Sequence, residues 1–187
     1  LLFGISLSSL GLLWQPRVQS ILGTAELSWV LGVLAAGYFF SASAGSMLST
    51  RVCDLFHDKY PLVVFAFRLL AGAFLLLLAF QDTILGFALF YFLILLADGV
   101  ADPPDATMYN AELPGPVRST MLSFKSLVLQ IGGLIGTLAI GFLAGAYSIG
   151  LAWTVAAVVL AASSVPYLLL ALWSTIAPES EEAIGTA

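Results

Sequence analysis

Residues 97–133 read ADGVADPPDATMYNAELPGPVRSTMLSFKSLVLQIGG and lie between two long apolar runs. The stretch holds Asp98, Asp102 and Asp105 within eight residues, the pair Pro103-Pro104, the turn Pro114-Gly115-Pro116, and two of the chain's six cations, Arg118 and Lys125. Around it the chain is 60% hydrophobic and only 9% charged, against roughly 25% charged in a soluble domain. A chain of 187 residues has too little interior to hide that much apolar surface. The bulk therefore faces lipid, and the fold class is an all-α, polytopic membrane protein.

Outward from the stretch, the apolar runs resolve into six spans, at about 1–14, 27–50, 61–80, 83–112, 119–147 and 151–173. The first, LLFGISLSSLGLLW, gives about 21 Å of helix against roughly 30 Å of hydrocarbon. It has no charged n-region or cleavage site of a signal peptide, so it reads as a truncated helix with sequence missing upstream. Trp14-Gln15-Pro16-Arg17 is expected to stop it, with a polar loop to residue 26. Small residues at 41–46 (SASAGS) and the pairs Gly132/Gly136 and Gly141/Gly145 suit close helix crossings. Thr83 or Asp82 is a candidate N-cap for the fourth helix, and Ser119 or Ser123 for the fifth. Pro103-Pro104 interrupts the fourth helix's hydrogen-bond ladder, and Pro166 is expected to kink the sixth. Residues 1–175 form the bundle and residues 176–187 an acidic tail.

Lys and Arg in short loops set the orientation. Arg51, Lys59 and Arg118 fall in the second and fourth loops and Arg17 alone on the other side. The second and fourth loops and the C-terminal tail are thus cytoplasmic. Trp14, Trp29 and Trp153 then lie at the outer interface and Trp173 at the inner one. The net charge of −5 includes three tail acids, Glu179, Glu181 and Glu182, and there is no basic patch for nucleic acid. The lone Cys53 excludes an intramolecular disulfide or a cysteine metal cluster. The lone His57, near Asp54 and Asp58, reads as a solvated loop residue.

Asp98, Asp102, Asp105, Tyr109 and Glu112 are spaced i, i+4, i+7, i+11 and i+14, one stripe of a helix. A lipid-facing acid at mid-depth costs about 2.5–3.5 kcal/mol, so the stripe must face the bundle interior or water. It reads as a cytoplasmic gate or ion-coupling face, with Arg68 and Arg118 as candidate partners. The competing reading has Asp102, Asp105 and Glu112 beyond the hydrocarbon, solvated or paired with Arg118. Asp98 falls in the inner third of the membrane and is the candidate coupling residue, with Arg68, which could also snorkel. Tyr91 and Gln130, polar at mid-membrane, are candidate cavity residues or interhelical hydrogen-bonding groups. Of Tyr38, Phe39 and Phe40, at most one is expected to line a cavity.

Ala101-Asp102-Pro103, Tyr109-Asn110-Ala111-Glu112-Leu113-Pro114 and Val117-Arg118-Ser119-Thr120-Met121-Leu122-Ser123 together resemble the tenth helix, inner loop and eleventh helix of the major facilitator superfamily. Trp14-Gln15-Pro16 is similar to the end of the seventh helix in drug-efflux-like members. The loop between helices eight and nine departs from the family's Gly-x-x-x-Asp-Arg pattern, reading Gly45-Ser-Met-Leu-Ser49-Thr50-Arg51. Asp98 stands where an Arg or neutral residue is expected. The resemblance covers the whole chain as helices seven to twelve. It implies one six-helix half of a rocker-switch transporter, needing the missing N-terminal half, with a small-molecule substrate and no cofactor. Carried over as gate elements are Asp102, Arg118 and Ser123, to which the stripe adds Asp105.

The reading is secondary transport by alternating access, as proton-coupled efflux across a bacterial inner membrane, and not an enzyme. Two other classes compete. One is a non-transporting accessory or degenerate bundle. The other is an intramembrane phosphatidyl-alcohol transferase, since Asp98-Gly99 resembles the opening of that family's Asp-Gly-x-x-Ala-Arg signature. Asp102-Pro103 stands where Ala-Arg is needed, and no Gly-x-x-x-Asp-x-x-x-Asp follows.

Overall fold

A computed structural model describes residues 1–23 and 27–184, with side chains for residues 1–23 and 28–173. Six helices follow one another: α1 (Leu2–Leu22), α2 (Leu27–Leu55), α3 (Tyr60–Ala79), α4 (Ile84–Ala111), α5 (Arg118–Ala146) and α6 (Ile149–Ile184). The segments Ser28–Leu55, Tyr60–Ala79, Ile84–Ala111, Gly115–Ala146 and Ile149–Trp173 are each long and apolar enough to cross a membrane. Gln15, Arg17 and Gln19 keep α1 less apolar than the rest.

Several helix ends differ from the sequence expectation. α1 does not stop at Trp14 but runs through Pro16 to Leu22. A proline removes one ladder hydrogen bond, yet tertiary contacts hold the turn beyond it. Val18 is fully buried, and the Arg17 guanidinium donates to the Gln81 carbonyl at 2.6 Å and the Asp82 carboxylate at 2.8 Å. α2 continues to Leu55, and the chain reverses through His57 and Asp58, both in the left-handed region at φ 54° and 56°. α6 continues past Trp173 to Ile184. Neither Ser119 nor Ser123 caps α5. Its N-cap is Val117, at the end of a 3-10 turn over Gly115–Val117, with no side-chain hydrogen bond. Thr83 does cap α4, its hydroxyl oxygen accepting from the Gly86 N–H at 3.2 Å.

α4 also passes through Pro103-Pro104 without a break. Pro104 has no N–H to give to the carbonyl of Val100, four residues back. The Ser49 hydroxyl of α2 donates to that carbonyl instead, at 2.9 Å. An unmet carbonyl in an apolar bundle costs several kcal/mol, so Pro104 is tolerated where another helix supplies the donor it lacks.

Backbone approach sets the crossings. α2 packs on α4, α3 on α4 and α6, and α1 on α5 and α6. A Cβ at Gly45 would overlap the carbonyl oxygen of Leu96, and one at Gly99 would overlap that of Ala42. At the α1–α5 crossing, Gly132 and Gly136 press on the backbone at Leu1 and Ile5. The second expected pair does not act alike: Gly141 meets only the end of the Leu12 side chain, and Gly145 faces open space. The α1–α6 contact is polar as well as apolar. The Ser6 hydroxyl donates to the Ala156 carbonyl at 3.0 Å and the Trp153 indole N–H to the Ser9 carbonyl at 3.3 Å. Trp153 and Phe87 are completely buried at the centre of the core.

Candidate functional site

Helical rise brings four polar side chains to the end of the bundle that carries the α2–α3 and α4–α5 connections. Arg68 sits about two turns into α3 from Tyr60, and Lys125 two turns into α5 from Arg118. Asp105 lies near the end of α4 and Tyr167 toward the same end of α6. They meet around one carboxylate. Lys125 Nζ lies 3.0 Å from Asp105 Oδ2, and Arg68 Nη2 lies 3.5 Å from the same oxygen. The Tyr167 hydroxyl donates to Asp105 Oδ1 at 2.6 Å. One carboxylate thus ties α4 to α3, α5 and α6.

The surroundings of Arg68 are unusual for a cation. It is 6% exposed, with its guanidinium 4.1 Å from the centre of the Phe3 ring and 4.9 Å from that of Tyr167. Its Nε is buried and has no hydrogen-bond partner. Aromatic faces offset part of the lost hydration, but the charge depends on Asp105 for its ion pair. Lys125 is more open, lies 4.6 Å from the centre of the Tyr109 ring, and shares Asp105 with Arg68. The Tyr109 hydroxyl in turn donates to the Met121 carbonyl at 2.9 Å, fastening the end of α4 to α5.

These groups line a cavity of about 670 Å³, which Asp102 and Phe124 also border. Two cations and two carboxylates face it. Such a set can hold charge inside a bundle and can exchange partners with small side-chain movements.

The acidic stripe is divided by the fold. Asp102, Asp105 and Tyr109 share the charged cavity. Asp98 is half-buried against a void of only about 20 Å³ bordered by Ser6, Ala71 and Leu160. Among the described residues it makes no hydrogen bond or ion pair. Glu112 is exposed. Of the two expected cation partners, Arg68 joins the cluster. Arg118 is exposed and forms no ion pair among the described residues, so Asp102 and Arg118 are not paired here. Ser123 and Gln130 lie together on the exposed face of α5, along a separate open groove. Tyr91 is buried in a stack between Trp14 and Phe87, with ring centres at 5.9 and 5.6 Å. Phe3, Lys125 and Tyr167 were not among the sequence candidates. A lone cation in an apolar helix was a usable signal for Lys125. Nothing local distinguished Tyr167 from a packing tyrosine.

Among the described residues no group of three His, Cys, Asp or Glu side chains could hold a metal ion. Arg118, exposed and unpaired, is a useful reference position: Arg118→Ala should change thermal stability by less than about 0.5 kcal/mol, as for surface sites without partners. A larger loss in detergent melting would mean that it has a partner in the assembled protein.

A bundle of apolar helices with charge buried among them is the architecture of an integral membrane protein. The family model of the Major Facilitator Superfamily matches residues 1–186, and the chain belongs to that superfamily of membrane transporters. Comparison with curated proteins and with solved structures finds no match.

Proposed function

We propose that this chain is the C-terminal six-helix half, helices seven to twelve, of a secondary transporter that moves a small molecule by alternating access, as proton-coupled export. The observation that carries this reading is the position of Asp98. It is a half-buried carboxyl group on α4 with no hydrogen bond or ion pair among the described residues, one and two turns from Asp102 and Asp105. An acid held inside an apolar bundle without a partner is costly, and such residues mark ion pathways and proton relays. Arg68, a buried cation of the same bundle, is the second coupling residue. The end carrying Arg51, Lys59 and Arg118 faces the cytoplasm by the positive-inside rule, in a bacterial inner membrane. The Asp105 cluster is then the cytoplasmic gate. Asp102 borders the gate cavity, and Arg118 and Ser123, which lie outside it, join the gate through partners that the other half supplies.

The test is transport in vesicles made with the gene extended to its natural start, with and without a pH gradient. One pH unit is worth about 1.4 kcal/mol per proton and sustains about tenfold accumulation at one proton per substrate. Asp98→Asn should reduce that ratio to the value found without a gradient, while the protein still inserts and melts normally. An unchanged accumulation ratio and pH dependence in Asp98→Asn would rule out its coupling role.

A further inference from the structure

A second recess opens between α1 and α2, away from the charge cluster. It has a volume of about 220 Å³ and is bordered by Gly11 and Trp14 of α1, Tyr38 and Phe39 of α2, and Tyr91 of α4. Small-molecule pockets usually measure roughly 300–1,000 Å³, so this one suits part of a ligand, or one wall of a site completed by other helices. No charged side chain borders it. An ionised group entering would lose its hydration without a counter-charge. Its polar features are the hydroxyls of Tyr38 and Tyr91 and the indole N–H of Trp14.

Three features mark it as more than a packing gap. Its walls are aromatic: Trp14 and Tyr91 stack with planes 29° apart, and Tyr38 and Phe39 meet edge to face at 5.1 Å. Tyr91 is only 3% exposed, yet its hydroxyl, which makes no hydrogen bond among the described residues, is not one of the fully buried unpartnered polar atoms and is left with open space at the recess. Trp14 and Phe87 stack against its ring and set the direction in which the hydroxyl points. Gly11 is not required by packing, because a Cβ there would meet nothing within 4 Å. Glycine inside a helix costs stability, and among the described residues no neighbouring helix explains it. Gly11 adds no side chain to the recess it borders.

We infer that this recess receives an uncharged, flat aromatic part of the transported molecule, with the Tyr91 hydroxyl making its hydrogen bond. The inference deepens the transport reading above and rests on it for the site's role. It assigns Trp14, Tyr38, Phe39 and Tyr91 as ligand contacts and Gly11 as the residue that makes room.

The probe is tritiated 2-naphthol, a two-ring aromatic alcohol, titrated onto the full-length protein in nanodiscs, with binding to empty nanodiscs subtracted. Saturable binding is expected. Gly11→Leu should weaken it more than about tenfold by occupying the recess, and Tyr91→Phe about fivefold, the loss of one hydrogen bond. Gly145→Leu, another open helical position, should leave it unchanged and controls for a general effect of enlarging a glycine. The saturated analogue decahydro-2-naphthol should bind roughly fivefold more weakly, since it cannot stack, and 2-naphthoate should not bind. Equal binding to Gly11→Leu and wild type overturns the inference. So does a saturated or anionic analogue that binds as well as 2-naphthol, and so does the absence of saturable binding, as when a side chain of the other half fills the recess. If the protein moves other compounds with the pH gradient but fails these binding tests, the recess assignment falls and transport stands. If it binds 2-naphthol as described but moves nothing under a gradient, transport falls and the site stands.

Discussion

Asp105→Ala is expected to destabilise the bundle by about 3–5 kcal/mol, the usual cost of removing one partner from a buried ion pair. Arg68 is 6% exposed, and Asp105 is its ion-pair partner at 3.5 Å. Without it the guanidinium loses its ion pair and keeps the faces of Phe3 and Tyr167, with Asp102 elsewhere on the same cavity wall, and the Tyr167 hydroxyl loses its acceptor as well. Unfolding in mixed micelles with increasing denaturing detergent measures the loss. The comparison variants separate charge from packing. Lys125→Ala should cost under about 1 kcal/mol, because its side chain is 40% exposed and water takes up much of the change. Arg68→Met combined with Asp105→Leu should recover most of the stability lost in Asp105→Ala, since apolar replacement of a buried pair is close to neutral. If Asp105→Ala melts like wild type, Arg68 has another anion in the assembled protein and the cluster is not centred on Asp105.

The second large effect is steric. Gly99→Ala should destabilise by about 2–3 kcal/mol through overpacking, since its new Cβ would overlap the carbonyl oxygen of Ala42. That neighbour is backbone and cannot rotate aside, so α2 and α4 must separate. Separation also weakens the bond from the Ser49 hydroxyl to the Val100 carbonyl, which Pro104 leaves without a helical donor. Gly45→Ala should behave alike, because its Cβ would overlap the Leu96 carbonyl oxygen. The double variant should cost less than the sum, as one separation of the helices relieves both overlaps. Gly145→Ala, where the Cβ meets nothing, should be neutral or slightly stabilising. Additive losses at Gly45 and Gly99 would show that the two sites do not act on one crossing.

Hydropathy alone made six helices in a membrane legible, because lipid exposure dictates composition over whole spans. The close crossing at Gly132 and Gly136 was legible for the same kind of reason: small residues four apart leave a groove on one helix face. The unbroken course of α4 was not, because the donor that rescues Val100 is Ser49, on another helix and 51 residues away. α1 extends past Pro16 for a similar reason, with Arg17 anchored on the turn at Gln81 and Asp82.

The candidate site divides along the same line. That acids and a cation in an apolar chain must avoid lipid is a statement about solvation, and the sequence determines it by itself, while leaving Asp105 open between the bundle interior and solvent beyond the hydrocarbon and Arg68 free to snorkel. Which acid meets which cation depends on how each helix is rotated about its axis and slid along its neighbours. Backbone-to-backbone contacts at glycines far apart in the chain set those quantities, and local spacing contains no trace of them. Only the tertiary structure therefore placed Asp105 between Arg68, Lys125 and Tyr167, left Asp98 unpaired and Arg118 outside, and turned Tyr91 toward an aromatic recess.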